Sequence, residues 1–357
     1  MTKILHSADW HLDSAFVGRT EQQAQFLRAE LLKIPDKVTA LCKTEGCDLL
    51  LLSGDLFDGE YTKESFLAVS SALAEAGIPV FISPGNHDFC HSGSPYLKEN
   101  WPENVHIFTH PAMESISLPQ LDCKIYGAGY EAMDCPGLLK NFHAEGDERW
   151  HIGLIHTDPL QASSPYAPLT TQQVKESGLH YLAAGHIHKG GSFRAGDVLC
   201  AWPGCPMGRG YDETGMKGAL LVTLDEGVTA QFLPLNTPRF YDETVDVSED
   251  AESSVAALLP PVETKDFYRI TLTGYSSPID MATLAASMSH VPNLELRDRT
   301  LPEMDLWSVI GEDTLEGVYF KLLHDGLDTD SEKLQQQLKL AAKISRQILD
   351  GQEVLLP

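Results

Sequence analysis

Five short apolar runs, each closing on polar residues, constrain this chain more than any other feature. They are residues 4–8 before Asp9, Leu49–Leu52 before Gly54-Asp55, Val80–Ile82 before Gly85-Asn86, residues 152–155 before His156, and Tyr181–Ala184 before Gly185-His186. Runs this short, without period-2 alternation, suit strands buried on both faces. Helical stretches separate the first three. One carries Phe26, Leu31, Leu32, Ile34, Val38 and Leu41, and Pro35 is predicted to break it in two. Another is predicted over Lys63–Ala76. The class is α/β, with helices covering a central sheet. Every one of the five strands delivers polar residues just past its C-terminal end, where open α/β sheets bind ligands.

The chain has 357 residues, beyond the size at which one core usually stops growing, so a large and a smaller domain are expected. Residues 219–224 and 230–235 read as shorter strands closing a second sheet. Near Asn236-Thr237-Pro238 the composition shifts: 241–357 hold 22 acidic and 9 basic residues. The expected division is 1–237 and 238–357. In the second part, residues 267–272 read as a strand, 281–288 as a helix and 294–297 as the returning strand of a small βαβ-like module. A terminal helix follows, with Leu334, Leu338, Ala341 and Ile348 on one face and Asp330 or Ser331 as its cap.

A net charge of -25, from 26 basic against 51 acidic residues, sets the surface as a whole against polyphosphate. Strong unaided DNA binding is not expected, and no Lys/Arg-rich stripe lies near the motifs. No stretch approaches the ~20 apolar residues of a membrane span. The opening residues meet a charge too early for a signal peptide, so a cytoplasmic protein is expected. The seven cysteines lack zinc-ribbon or redox-pair spacing and read as buried free thiols.

Five motifs follow the five runs: Asp9-Trp10-His11, Gly54-Asp55-Leu56-Phe57-Asp58, Gly85-Asn86-His87-Asp88, His156, and Gly185-His186-Ile187-His188. Singly most are weak; jointly, each at a strand end, they point to a metal site. Imidazole with carboxylate suits manganese, iron or zinc. Asp9 and His11 flank one residue of an expected extended segment, so both can face one side, and His186 and His188 repeat the arrangement. With Asp55, Asn86 and His156 these make seven ligands, too many for one ion. Two ions sharing a carboxylate, ~3.5–4 Å apart, would use them all. Asp58 and Asp88 are candidates for orienting imidazoles or loop amides. His6, His106, His110, His151 and His180 read as structural, His91 as a lesser candidate for touching substrate, and Cys205 as packing.

This order of motifs resembles the calcineurin-like metallophosphoesterase superfamily over roughly residues 1–235. The resemblance implies a four-layer α/β/β/α sandwich with a smaller C-terminal α+β capping domain. It also implies that Asp9, His11, Asp55 and His188 hold one ion and Asp55, Asn86, His156 and His186 the other. His87 would then sit by the scissile phosphate, serving a two-metal hydrolase that activates water for in-line attack. The opening Ile4 to Leu12 is similar to that of the SbcD-type nucleases of DNA repair. Asp13-Ser14-Ala15-Phe16 resembles the YhaO-type branch, with Ala15 where proline is usual. Pro203 to Arg209, Glu213-Thr214-Gly215 and Lys217-Gly218 resemble the same group.

Such relatives are manganese-dependent exonucleases or endonucleases working with an SbcC-like coiled-coil ATPase. That partner would supply the DNA-holding surface this acidic chain lacks, and a second copy of the chain is a further candidate partner. Arg209, Lys189 and Lys217 are isolated candidates for phosphate contacts. Two other readings stand beside the nuclease: a phosphatase or phosphodiesterase for a small nucleotide or a phosphoprotein, and a non-catalytic component regulating an ATPase.

Overall fold

The structure, a computed structural model, describes residues 1–248, 250–302, 305–351 and 354. Of the capping segment expected over 238–357, residues 249, 303, 304, 352, 353 and 355–357 lie outside the described residues. The chain divides into two compact units. The first comprises residues 1–242 with 265–269, and the second 243–264 with 270–357.

In the first unit a six-stranded sheet is built from β1 (Thr2–Ser7), β2 (Leu49–Leu52), β3 (Val80–Ile82) and β4 (Val105–Ile107), all parallel. A second sheet takes β5 (Glu114–Leu118), β6 (Cys123–Gly127), β7 (Trp150–Ile155), β8 (Tyr181–Ala184), β9 (Lys189–Ala195) and β10 (Val198–Gly204), in the order β5-β6-β7-β8-β10-β9. Strands β6, β7, β8 and β10 run parallel. Next come β11 (Gly218–Leu224) and β12 (Val228–Pro234). They do not close the second sheet, as their sequence suggests, but complete the first. Strand β11 pairs antiparallel with β1 and β12 antiparallel with β11. The free edge of β1 thereby gains a partner instead of exposing unpaired amides.

Apolar side chains explain the layering. Ile4, Leu49, Leu51 and Phe81 from the first sheet meet Ile125, Ile152, Leu154 and Tyr181 from the second, all fully buried. Leu5, Leu50, Leu52 and Ile82 face the other way, onto α1 (Glu21–Leu31), α2 (Ile34–Glu45) and α3 (Lys63–Ala76) through Leu27, Val38 and Val69. The break between α1 and α2 puts Pro35 in the first turn of α2, where its missing N–H costs nothing. A single turn, α4 (Pro95–Lys98), follows β3. The outer face of the second sheet is covered by α5 (Thr171–Glu176) and irregular segments bearing Tyr130, Leu139 and Leu169. The result is an α/β/β/α sandwich whose last layer is thin in helix.

Asp13, in the loop after β1, is buried to an intermediate degree beside the start of α3. Its carboxylate accepts from Thr62 N at 3.2 Å and Thr62 Oγ1 at 3.0 Å, tying the loop after β1 to the capped start of α3. All seven cysteines are buried and free. No helix among the described residues is long and apolar enough to cross a membrane.

The second unit contains a three-stranded sheet of β13 (Phe240–Asp246), β14 (Phe267–Thr273) and β16 (Leu294–Asp298), and a short pair of β15 (Tyr275–Ser276) with β17 (Leu301–Pro302). The first residues of β13 and β14 belong to the first unit, because Phe240 and Phe267 stack at 4.7 Å within its core. Helices α6 (Ala251–Ala256), α7 (Met281–Ser287), α8 (Leu315–Asp325) and α9 (Glu332–Leu349) complete the second unit. Ser331 caps α9, its hydroxyl accepting from Leu334 N. Of the four residues expected on one face, Leu338 and Ala341 are half-buried and Leu334 (42%) and Ile348 (61%) exposed, while Ala342, which packs with Phe320, and Gln347 are buried. A small alanine, with no bulk to signal burial, lets the two helices approach.

A polar bridge joins the two sheets beneath their C-terminal ends. Ser53 Oγ donates to Ala184 O at 2.9 Å, so it accepts from His6 Nε2 at 2.7 Å. The remaining His6 Nδ1, 2.7 Å from the Tyr181 hydroxyl, is then an acceptor. Burial keeps this imidazole neutral and pushes its pKa down to about 3. In the unfolded chain it protonates near 6.5, so between 6.5 and about 3 falling pH favours unfolding. Tyr181→Phe should leave Nδ1 unpartnered and cost about 1–3 kcal/mol. Wild-type stability should itself fall from about pH 7 to about pH 5. Urea unfolding followed by tryptophan fluorescence checks both, and an unchanged Tyr181→Phe midpoint contradicts the bridge.

Candidate metal centre

The C-terminal ends of β1, β2, β3, β7 and β8 converge, and the loops after β1 and β2 are zipped together by backbone. Asp9 N donates to Gly54 O at 3.0 Å, His11 N to Asp55 O at 2.9 Å and Leu12 N to Leu56 O at 3.0 Å. The expected extended geometry of Asp9-Trp10-His11 is corrected here. Strand β1 stops at Ser7, and Asp9 and His11 take left-handed φ values of 54° and 49°. Asp55 (51°) and His186 (81°) do the same. Each such residue costs of order 1–3 kcal/mol and persists only where its surroundings over-determine it. Two glycines allow the sheets to close this tightly. A Cβ on Gly185 would sit 1.9 Å from Ser53 O, and one on Gly54 2.5 Å from His156 Nδ1.

All eight residues singled out from the sequence come together, seven around a buried centre and His87 at its rim. Ser53 O can only accept, so His156 Nδ1, at 2.8 Å, carries the proton. Its Nε2 lone pair therefore faces Asn86 Oδ1 at 2.9 Å and Asp55 Oδ2 at 3.4 Å. His186 Nδ1 approaches the same Asn86 oxygen at 3.1 Å. On the other side, His11 Nδ1 is held by Asp58 Oδ1 at 3.3 Å and His188 Nδ1 by Glu213 Oε1 at 2.6 Å. With both rings neutral, two Nε2 lone pairs face each other, 3.0 Å apart. Asp9 Oδ1 accepts from His186 N at 3.0 Å, whereas its Oδ2 is buried without a hydrogen-bond partner among the described residues.

Among the described residues, and with the imidazoles neutral, acceptors thus converge on acceptors with no donor between them, an arrangement that cations resolve. Asp9, His11 and His188 form one group whose ligand atoms lie within 4.8 Å of one another, and Asp9, Asp55 and His156 a second. His186 and His188 do not share one side as expected, since the first turns to Asn86 and the second to His11. The residues present fit divalent ions.

Electrostatics follow from burial and neighbours. Burial raises the Asp9 pKa, with Asp55 adding to it against its imidazole neighbours. Burial would raise Asp55 too, but His156, His11 and His87 outweigh it and hold the carboxyl below its usual range. Burial lowers His11, and burial together with His156 pushes His186 down to about 4, whereas in His188 burial is outweighed by the hydrogen bond to Glu213 and by Asp9, which raise its pKa. Neutral imidazoles are the form that binds metal.

Outside the ligands, Asp58 and Asp88 divide the work anticipated for them. Asp58 holds His11 and also His87 Nδ1, at 2.8 Å, and accepts from Ser14 Oγ at 2.7 Å. Asp88 accepts from the Leu56 and Gly85 amides, both at 2.7 Å, staking the loops that carry Asp55 and Asn86. Sequence reasoning misses Glu213 and Ser53 as the groups that orient His188 and His156; Glu213 stands out only as part of a resembling run. Arg209 reads from sequence as a phosphate contact, yet its guanidinium lies 3.1 Å from Glu213 and 3.6 Å from Asp58, tying the two orienting carboxylates together. His91 is exposed, with its ring beside Phe89 and outside the ligand groups. Cys205 is buried, its Sγ 3.7 Å from Glu213 Oε2.

A family model described as calcineurin-like phosphoesterase matches residues 2–190. The chain is 32% identical over 282 residues to the uncharacterized metallophosphoesterase YhaO of Bacillus subtilis (strain 168), covering 73% of this chain and 66% of that protein. It is 32% identical over 267 residues to the D component of nuclease SbcCD from the same organism, covering 62% of this chain and 65% of that one. The chain therefore spans just under two thirds of the length of these relatives. Among solved structures, a dimetal phosphatase from Danio rerio is 12% identical with a TM-score of 0.41, covering 65% of this chain and 96% of its own. An archaeal phosphodiesterase is 14% identical with a TM-score of 0.37, covering 65% and 100%. Likenesses this slight carry no argument.

Glu213→Gln removes the charge that orients His188 while keeping the side-chain shape. Metal affinity of the group formed by Asp9, His11 and His188 should weaken about 10- to 100-fold. Calorimetric titration with manganese measures it, and an unaltered affinity contradicts the orienting role.

Proposed function

We propose, from the premise that this chain belongs to the calcineurin-like phosphoesterase family, that it is a two-metal phosphodiester hydrolase acting on DNA as an exo/endonuclease. Asp9, His11, Asp55 and His188 would hold one ion, and Asp55, Asn86, His156 and His186 would hold the other. One observation carries the assignment: Asp55 Oδ2 lies 3.7 Å from His11 Nε2 and 3.4 Å from His156 Nε2, one nitrogen from each side. A single oxygen so disposed would be within reach of both ions. Mixed imidazole and carboxylate donors favour manganese, with iron and zinc as alternatives. When bound, the ions lower the pKa of water and neutralise charge building on the phosphate.

The chain's own groups do the rest. His87 N donates to Asp55 Oδ1 at 2.9 Å, fixing the His87 backbone to the bridging carboxylate. Its side chain is 44% exposed, and the hydrogen bond to Asp58 raises its pKa. With Nδ1 committed to Asp58, Nε2 is left to donate a proton to the leaving oxygen or to a phosphate oxygen. The left-handed turns and buried carboxylates hold these groups before substrate arrives, so little reorganisation is needed.

The DNA reading rests on likeness to the relative named as a component of nuclease SbcCD, and that name also motivates an SbcC-type coiled-coil ATPase as partner in DNA repair. Such a partner would offset the net charge of -25. The same charge favours a second reading, a phosphatase or phosphodiesterase for a small nucleotide or phosphoprotein.

His87→Ala should keep manganese binding but lose about 10²- to 10⁴-fold in rate. Cleavage of linear duplex and single-stranded DNA, beside bis-p-nitrophenyl phosphate and with the ATPase present, is the assay. Unchanged turnover contradicts the role of His87. Activity on the small ester with none on DNA favours the second reading.

A further inference from the structure

A groove of about 440 Å³ opens directly from His188 and runs between the β9-β10 edge of one sheet and the β11-β12 edge of the other. Its walls carry Lys189 and Lys217 and, among the described residues, no carboxylate. That is notable in a chain with 51 acidic and 26 basic residues. Another groove, at the opposite ends of the strands, is lined by Asp197, Asp225 and Glu226. The groove beside His188 is therefore a local reversal of the surface charge, continuous with the candidate metal centre.

Lys217 sharpens the point. It is 7% exposed, and its ammonium makes one hydrogen bond, to His188 O at 3.4 Å, with no ion pair among the described residues. A buried ammonium this poorly partnered is costly unless an anion joins it. Lys189, by contrast, is exposed at the mouth. Between them lie Trp202, buried in the wall with its Nε1 donating to Lys189 O at 2.9 Å, and Phe232, 37% exposed. Lysines as point charges with aromatic faces beside them are the elements that hold a single nucleic-acid strand.

We propose that this groove seats the nucleotide next to the scissile bond, with Lys217 and Lys189 taking its phosphate and Phe232 its base. This rests on the phosphodiesterase reading above and adds to it a second phosphate subsite. A substrate with one phosphate fills only the metal centre, whereas a strand continuing past His188 gains both lysines. The acidic remainder of the surface then favours entry along this path over non-specific adhesion.

Manganese-loaded full-length chains carrying Lys189→Ala, Lys217→Met or Phe232→Ala, with Lys140→Ala as an exposed control, are compared on bis-p-nitrophenyl phosphate and a single-stranded oligonucleotide. For the oligonucleotide, kcat/KM should fall about tenfold for each groove lysine. The salt dependence of KM should flatten by about 0.7 log units per log unit of salt. Lys189→Ala and Phe232→Ala should leave turnover of the small ester unchanged, and Lys140→Ala should leave both substrates unchanged. Equal losses on both substrates, or an unchanged oligonucleotide rate, overturn the inference. So does a wild type that cleaves the small ester and no oligonucleotide, which leaves the phosphoesterase reading intact. If no ester is turned over, that reading fails instead, and anisotropy of a labelled phosphorothioate oligonucleotide still tests the groove. Lys189→Ala must weaken that binding, or the groove is no subsite.

Discussion

The close approach of two sheets at their C-terminal ends is the constraint on which the rest of this molecule depends. Neither sheet alone carries a complete set of donors: Asp9, His11, Asp55 and Asn86 follow strands of the first, His156, His186 and His188 strands of the second. The polar bridge His6–Ser53–Ala184 and the bare backbones of Gly54 and Gly185 bring the two rims within reach. A side chain at Gly185 would push Ser53 away and take the carbonyl that orients His156 with it. Packing in the sandwich core and chemistry at its edge are thus one problem.

At that edge the chain accumulates strain and like-facing lone pairs. Four site residues have left-handed φ, and a buried Asp9 oxygen has no hydrogen-bond donor among the described residues. Interactions of this kind are destabilising by themselves and are held by loops that pair backbone to backbone. Around them, Asp58, Glu213 and Ser53 each take one ring nitrogen so that the other points inward. Arg209 lies between two of these carboxylates, so its charge is spent mainly on the framework.

Much of this was legible in the sequence, for identifiable reasons. Strands buried on both faces leave uninterrupted apolar runs, which is why Leu49–Leu52 and Val80–Ile82 stand out with their bounds intact. The metal-type residues follow those runs directly, so short-range order reports a long-range cluster. What short-range order cannot report is pairing and backbone handedness. Nothing local says that β11 returns to β1 instead of joining the second sheet, since both edges would accept an apolar strand. Nothing in Asp9-Trp10-His11 distinguishes an extended segment from the left-handed turn it adopts. Glu213 contacts His188 across 25 positions and lies in a stretch without periodicity. In α9, Leu334 and Ile348 would mark a buried face by hydropathy, yet Ala342 and Gln347 are the residues covered.

On the proposed reading, two cations would occupy the space between these facing acceptors, with Asp55 in reach of both. Anomalous diffraction from crystals soaked in manganese tests it most directly. Two peaks are expected about 3.5–4 Å apart on either side of the Asp55 carboxylate, one near His11 and His188 and the other near Asn86, His156 and His186. A single peak, or ions bound with Asp55 uninvolved, would contradict it.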